Sequence, residues 1–274
     1  MAGRGRWGTV FSAWPARRFA EPPRVEPLLN ILHEDADLLV VNKPAGLVCH
    51  PTKGDAWSSL IGRVRLHLGD AASPHLVNRL DRETSGVVLV AKTGRRAGKL
   101  KQLFAERGVA KEYLAIVHGH VAAEAGVCEA PLGRDESSVV AIKDCVRADG
   151  RAARTEFAVV RRLVRAEGEF TCLRVRPETG RKHQIRIHLA HLGHPLVGDK
   201  LYGSDERLYL AFVERRLTAA QRAQLLLPCQ ALHAERLRFR WLLRDWEFVA
   251  EPEAWFTDFI AGRPCADDWA ERYR

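Results

Sequence analysis

The residues of this chain best suited to chemistry lie in one short run, Asn78-Arg79-Leu80-Asp81-Arg82-Glu83-Thr84-Ser85-Gly86. One carboxylate, Asp81, stands between two arginines and is followed by small and hydroxyl-bearing residues. An ionised carboxylate in such a place can act as a nucleophile or a general base. The run leads directly into Val87-Val88-Leu89-Val90-Ala91, an unbroken apolar stretch that reads as a buried strand. Asp81 is therefore expected on a turn or loop anchored by a rigid element, where a reactive group is held accurately. Spacing alone favours a plainer meaning, a polar turn with a local Asp–Arg pair, because surface ion pairs are common and weak.

The identities of the residues shift that balance. NRLDRETSG resembles the RLD-x-x-TSG signature of the RluA-type pseudouridine synthases, enzymes that isomerise uridine in RNA. Further segments match in order. Asn42-Lys43-Pro44-Ala45-Gly46-Leu47 with His50-Pro51 is similar to the family's opening motif, and Lys111-Glu112-Tyr113-Leu114-Ala115 to its K-x-Y-x-A strand. Thr179 to His188, TGRKHQIRIH, resembles its TGR-x-HQIR-x-H helix, and His194 to Asp199 and Leu232-His233-Ala234 complete the set. The resemblance runs from about residue 29 to 250, and ordered motifs together are far more specific than any one alone.

The resemblance implies a reaction that breaks the C1′–N1 glycosidic bond, turns the uracil and rejoins it through C5. That change is redox-neutral and brings in no external group, so no cofactor is expected. By resemblance Asp81 is the catalytic carboxylate, attacking C1′ or removing a proton from C2′; the sequence does not choose between them. Arg186 would keep it charged against the protonating pull of an apolar cleft. Arg79 would fill the space left by a flipped base, Tyr113 would stack on the uracil and Leu232 would wall the pocket. One position departs: Asn78 stands where family members carry His, and Asn cannot titrate near neutral pH. A proton-handling role there is in doubt; that of Asp81 is not. His183, His188, His191 and His194 suggest a metal set, but no HExxH frame or cysteine pair accompanies them, and no metal is expected.

Bulk properties agree. The 274 residues carry 43 Lys+Arg against 34 Asp+Glu, a net charge of +9, and the pI is about 9.5. An RNA partner fits that balance. No apolar stretch approaches the ~20 residues that span a bilayer, so no membrane association is expected. The six cysteines, Cys49, Cys128, Cys145, Cys172, Cys229 and Cys265, form no C-x-x-C pair and read as reduced thiols of an intracellular protein. The first 20 residues hold Arg4, Arg6, Arg17 and Arg18, no acid, and Trp7, Phe11 and Trp14 at helical spacing. That segment reads as an RNA-touching arm, a mitochondrial transit peptide or an unstructured basic tail.

Organisation along the chain follows. Residues 1–28 form a basic tail closed by Glu21-Pro22-Pro23, 29–262 one catalytic domain, and 263–274 a second tail. Many family members carry an N-terminal S4 RNA-binding domain; the tail is too short for one, so RNA affinity must come from the tail, the catalytic domain or residues 204–228. Two short strands are expected between Ile31 and Val41, then a helix from Trp57 to Leu68, the buried strand at 86–92, and a helix from Arg95 to Arg107 stopped by Gly108. Strands are expected at Tyr113–Val117, Phe157–Val164 and Phe170–Val175, with a loop-rich stretch over 121–152 and a helix over 181–192. Residues 204–228 read as helical and as an insertion or an extended connection, and Arg236 to Trp241 alternates like a half-buried strand. Without regular βαβ alternation the fold class is α+β. The resemblance adds a mixed, mainly antiparallel bent central sheet, flanked by helices, with the cleft along it. A cytoplasmic monomer acting on structured ribosomal or transfer RNA is expected, with a mitochondrial location open if the source is eukaryotic. The competing readings are a catalytically idle RNA-binding protein on the same fold and a metal-dependent nucleic-acid hydrolase. Intact Asp81, Tyr113 and Arg186 argue against the first, and no carboxylate or histidine cluster supports the second.

Overall fold

A computed structural model describes residues 28–51, 58–69 and 72–264. The basic arm, Trp57 at the start of the expected helix, Cys265 and most of the second tail lie outside the described residues. The elements run β1 (Asn30–Glu34), β2 (Leu38–Lys43), α1 (Leu60–Leu68), β3 (His75–Leu76), β4 (Ser85–Ala91), α2 (Gly94–Ala105), β5 (Val109–His118), β6 (Ala125–Glu129), β7 (Leu132–Arg134), β8 (Asp144–Val146), β9 (Arg154–Arg165), β10 (Gly168–Pro177), α3 (Gln184–His191), α4 (Arg207–Val213), α5 (Ala219–Leu225), β11 (Leu232–Trp241), β12 (Arg244–Val249) and α6 (Ala254–Ile260).

A ten-stranded sheet has the order β1-β2-β4-β11-β5-β10-β9-β6, with β12 added to β11 and β3 to β4. Its pairings are antiparallel except the contact of β4 with β11, which is parallel and spans only His233 opposite Ser85 and Ala234 opposite Gly86. The expected α+β class with a mainly antiparallel sheet and flanking helices is the observed one.

β2 and β4 lack polar alternation because both faces are covered. Leu39, Val41, Val88 and Val90 pack on Leu60, Ile61 and Val64 of α1; Leu38, Val40, Val87 and Leu89 pack on Ala97 and Leu100 of α2. On β5 the faces divide likewise. Ala115 and Val117 meet Ile185 and Leu189 of α3, while Ile116 meets Trp255, Phe256 and Phe259 of α6. Tyr113 belongs to the clusters of both α1 and α3, at the seam where the cleft opens.

Local chemistry sets the ends of these elements. Ser59 caps α1 through the Gly62 N–H at 3.2 Å, and Thr93 caps α2 through that of Arg96 at 3.4 Å. The stop of α2 corrects the sequence reading. Arg107, not Gly108, takes the left-handed conformation (φ 60°), while the Gly108 N–H bonds the Leu103 carbonyl at 2.9 Å. Gly86 has a positional reason: its φ is +114° and a Cβ there would lie 2.2 Å from the Ala234 oxygen. Only glycine lets β4 approach β11 this closely.

The stretch read as loop-rich supplies β6, which pairs with β9, and the small β7–β8 sheet. The segment 204–228 holds α4 and α5, the latter opened by a Thr218–Gln221 capping box. β11 begins at Leu232, before the alternation visible from Arg236, because a register shift between His233 and Arg236 breaks the period.

Candidate active site

The loop from Asp81 to Thr84 is tied to a different part of the molecule at nearly every residue. The Asp81 carboxylate accepts from Arg186 Nη1 on α3 at 2.9 Å and from Gln230 Nε2 at 3.4 Å, both on Oδ2. The Arg82 carbonyl accepts from Lys43 Nζ at 3.1 Å and from the Gly46 N–H at 2.9 Å. Glu83 pairs with buried Lys200 at 2.8 and 2.9 Å. Thr84 Oγ1 accepts from Gln230 Nε2 at 2.7 Å. Ser85 then enters β4 and bonds His233 Nδ1 of β11 at 2.8 Å. Such cross-ties hold a loop residue as firmly as a strand would.

Arg186 is itself clamped. Its Nε and Nη2 donate to Asp199 at 2.7 and 2.8 Å, a bidentate pair that leaves Nη1 for Asp81. Asp199 also accepts from the N–H groups of Leu201 and Tyr202 at 2.9 and 3.0 Å, and the Tyr202 ring lies 4.9 Å from the guanidinium. Burial alone pushes the Asp81 carboxyl up, but the Arg186 charge and its hydrogen bond outweigh it and hold Asp81 below the ordinary carboxylate range. Burial and Arg186 act in the same two senses on Asp199, which is also held low.

A cleft of about 890 Å³ opens over Asp81. Tyr113 and Leu232 line it; Leu232 is buried, and burial together with the Asp81 charge pushes the Tyr113 hydroxyl up to about 12. Arg79 lies at its mouth, exposed and without a hydrogen bond among the described residues. All five residues singled out from the sequence therefore border one cleft. Phe104, Arg107, Lys111, Arg181 and Lys182 add an aromatic and basic rim.

Other motif residues are fasteners. Gln184 accepts from Thr179 Oγ1 and the Arg181 N–H, and donates to the Arg154 carbonyl and Thr155 Oγ1, which ties α3 to β9. His188 is fully buried between Thr155 Oγ1 at 2.8 Å and the Ala130 carbonyl at 3.0 Å. His194 bonds the His118 carbonyl. Among the described residues no group of three or more His, Cys, Asp or Glu is placed to hold a metal ion. Asn78 turns its amide to β4, donating to the Val87 carbonyl at 3.2 Å and accepting from the Leu89 N–H at 2.8 Å. It extends the β3–β4 ladder, a task needing one donor and one acceptor on a short side chain.

Two site residues were missed. Lys43 is wholly buried and donates to the carbonyls of Pro44, Leu47 and Arg82; burial pulls it down to about 8. Asp199 stood in a recognised motif without a role. Its role follows only from the fold, which buries an arginine beside it that needs a second carboxylate.

The RNA pseudouridylate synthase family model matches residues 37–191, more than half of the chain. The chain belongs to that family. It is 38% identical over 210 residues to an uncharacterized RNA pseudouridine synthase of Aquifex aeolicus, covering 69% of this chain and 65% of that protein. It is 38% identical over 220 residues to a ribosomal large subunit pseudouridine synthase D of Zymomonas mobilis, covering 77% of this chain and 64% of that one. The chain thus spans just under two thirds of the length of these relatives. Among solved structures, human RNA pseudouridylate synthase domain containing 1 matches with a TM-score of 0.68 and 27% identity, over 89% of this chain and 90% of that one. Among the described residues no helix is long and apolar enough to cross a membrane.

Proposed function

We propose that this protein isomerises specific uridines in structured ribosomal or transfer RNA to pseudouridine, with Asp81 as the catalytic carboxylate. The observation that carries the reading is the division of labour on Asp81. Oδ2 is held by Arg186, itself fixed by Asp199, while Oδ1 takes no hydrogen bond among the described residues and Asp81 lines the cleft with Tyr113 and Leu232. A carboxylate kept ionised, oriented and half-free can attack C1′ or take the C2′ proton. The uracil, once detached, needs only a flat apolar pocket in which to turn. Tyr113 supplies a stacking face and Leu232 a wall, and exposed Arg79 fills the gap left by a flipped base.

The chemistry is redox-neutral and intramolecular in its net outcome, so the reading calls for no cofactor or metal. We assign the catalytic unit to residues 29–262, with flanking tails at 1–28 and 263–274, and place it in the cytoplasm as a monomer. The test is conversion of uridine in cellular ribosomal and transfer RNA, read by chemical labelling, with and without the protein. Site-specific conversion by wild type and none by a folded Asp81→Asn variant is expected. A wild-type protein that binds RNA yet converts no uridine would leave an inactive RNA-binding protein in place of the enzyme.

A further inference from the structure

His183 precedes α3 in the left-handed region, with φ 55° and ψ 17°, and its side chain makes no capping bond. A residue other than glycine is uncommon there outside a helix stop such as Arg107, and such positions are enriched at functional sites. What fixes His183 is its ring. Nδ1 lies 2.9 Å from the Tyr202 hydroxyl, and that hydroxyl accepts from the Asp144 backbone N–H at 3.2 Å. An amide can only donate, so the phenol oxygen is the acceptor there and its own proton is free for His183. No other acceptor for it is found among the described residues. Nδ1 is then an acceptor, and the ring proton sits on Nε2.

Nε2 points at Asp81 Oδ1, 3.9 Å away. That is the carboxylate oxygen left over once Arg186 and Gln230 have taken Oδ2. A gap of 3.9 Å is too long for a hydrogen bond. It is the right width for one oxygen atom to lie about 2.8 Å from both groups. Burial and the Arg186 charge push the ring down to about 4, so it stays neutral and does not quench the carboxylate. The other charges facing it are Asp81, Asp199 and Lys182.

We propose that His183 contacts the substrate, its Nε2–H holding an oxygen of the flipped nucleotide against Asp81 Oδ1. The ribose 2′-hydroxyl is the oxygen that fits, since it accepts from Nε2–H and gives its own proton to the carboxylate, whereas uracil O2 has no proton to give Asp81. The donor thereby fixes how C1′ and C2′ meet the carboxylate. The inference rests on the pseudouridine-forming reading and adds to it a chain from β8 through Tyr202 and His183 to the reacting nucleotide.

The experiment uses the full-length protein and an RNA that wild type converts, with three versions of the target nucleotide: uridine, 2′-deoxyuridine and 2-thiouridine. Turnover and RNA affinity are measured for wild type, His183→Ala, His183→Gln and Tyr202→Phe. His183→Ala is expected to lose about 10-fold or more in kcat, in line with a lost hydrogen bond to substrate. His183→Gln, which keeps an N–H at similar reach, should recover most of it. In wild type 2′-deoxyuridine should bind more weakly than uridine, and that difference should shrink in His183→Ala; 2-thiouridine, which keeps the 2′-hydroxyl, should show no such dependence on His183. Tyr202→Phe should slow wild type several-fold but add nothing to His183→Gln, and this comparison decides the matter if the alanine variant is unfolded. Wild-type kcat in a folded His183→Ala protein, or a 2′-deoxyuridine penalty unchanged by that substitution, overturns the inference while the parent reading stands. No conversion by wild type overturns the parent reading, and this one with it.

Discussion

Asp81 and Arg186 are 105 residues apart in sequence and 2.9 Å apart in the fold, and the arginine reaches the aspartate with the one terminal nitrogen that Asp199 leaves free. The pair is directional. Asp199 sets the guanidinium plane, the plane sets which Asp81 oxygen is engaged, and the other oxygen is left without a hydrogen bond among the described residues. Removing any member has a consequence that can be measured.

Asp81→Asn should abolish turnover, by about 10³-fold or more, as expected for loss of a nucleophile or base. RNA affinity should remain near wild type, since the substitution is nearly isosteric. The pH dependence has a sign. The folded carboxyl lies below its ordinary value, so stability linked to Asp81 is fully present above about pH 3.9 and is lost only as pH falls through the lower folded value. Asp81 should therefore impose no fall in rate between pH 7 and pH 5. Thermal unfolding of wild type and variant from pH 7 to pH 3 checks the stability and the wild-type pH–rate profile checks the rate, where an acid limb centred near pH 6 and assigned to Asp81 would contradict the prediction.

Arg186→Lys should cost about 10²-fold in kcat, because a single ammonium cannot satisfy Asp199 at two atoms and still aim Asp81. Stability should fall too, as buried Asp199 loses half of its fork. Steady-state kinetics beside a melting curve separates the two effects. A lysine variant with wild-type kcat would show that the orientation of Asp81 is set elsewhere.

Asn78→His should lower stability by about 1–2 kcal/mol and leave kcat little changed, since the imidazole cannot bridge the Val87 carbonyl and the Leu89 N–H as the amide does. Denaturant titration measures the first effect and turnover of the same sample the second. A large gain in kcat would place this position in the chemistry instead.

RNA binding should weaken steeply with salt, since the net charge is +9 and Arg107, Lys111, Arg181 and Lys182 rim the cleft. Affinity measured from about 50 to 200 mM salt should fall by an order of magnitude or more. A flat titration would mean that phosphate contacts are not what holds the RNA.

How much of this was legible depended on whether a residue's role is local. Asp81, Arg186, Tyr113 and Leu232 sit in motifs whose wording carries their meaning, and all four border the cleft. β4 was visible because burial on both faces leaves an uninterrupted apolar run. The start of β11 was not, because a bulge resets the alternation. The αL stop at Arg107 was hidden behind the more familiar glycine beside it. Lys43 and Asp199 were invisible as site residues for a different reason. Each works by what the fold brings to it, three carbonyls in one case and a guanidinium in the other, and neither environment is written in the neighbouring sequence. His183 had a place in a motif, but its backbone strain and its tautomer exist only once Tyr202 and Asp144 are in position.

The parallel contact of β4 with β11 also bears on how the molecule comes into being. Ser85 and His233, joined there by a hydrogen bond, are 148 residues apart. Closing so long a loop is entropically unfavourable until much of the intervening chain is already ordered, and non-local pairings of this kind slow folding. Leu232 and Gln230 reach the Asp81 loop only across that junction. The cleft is consequently among the last parts of the protein to form, and recovery of turnover after dilution from denaturant should lag behind recovery of strand and helix signal.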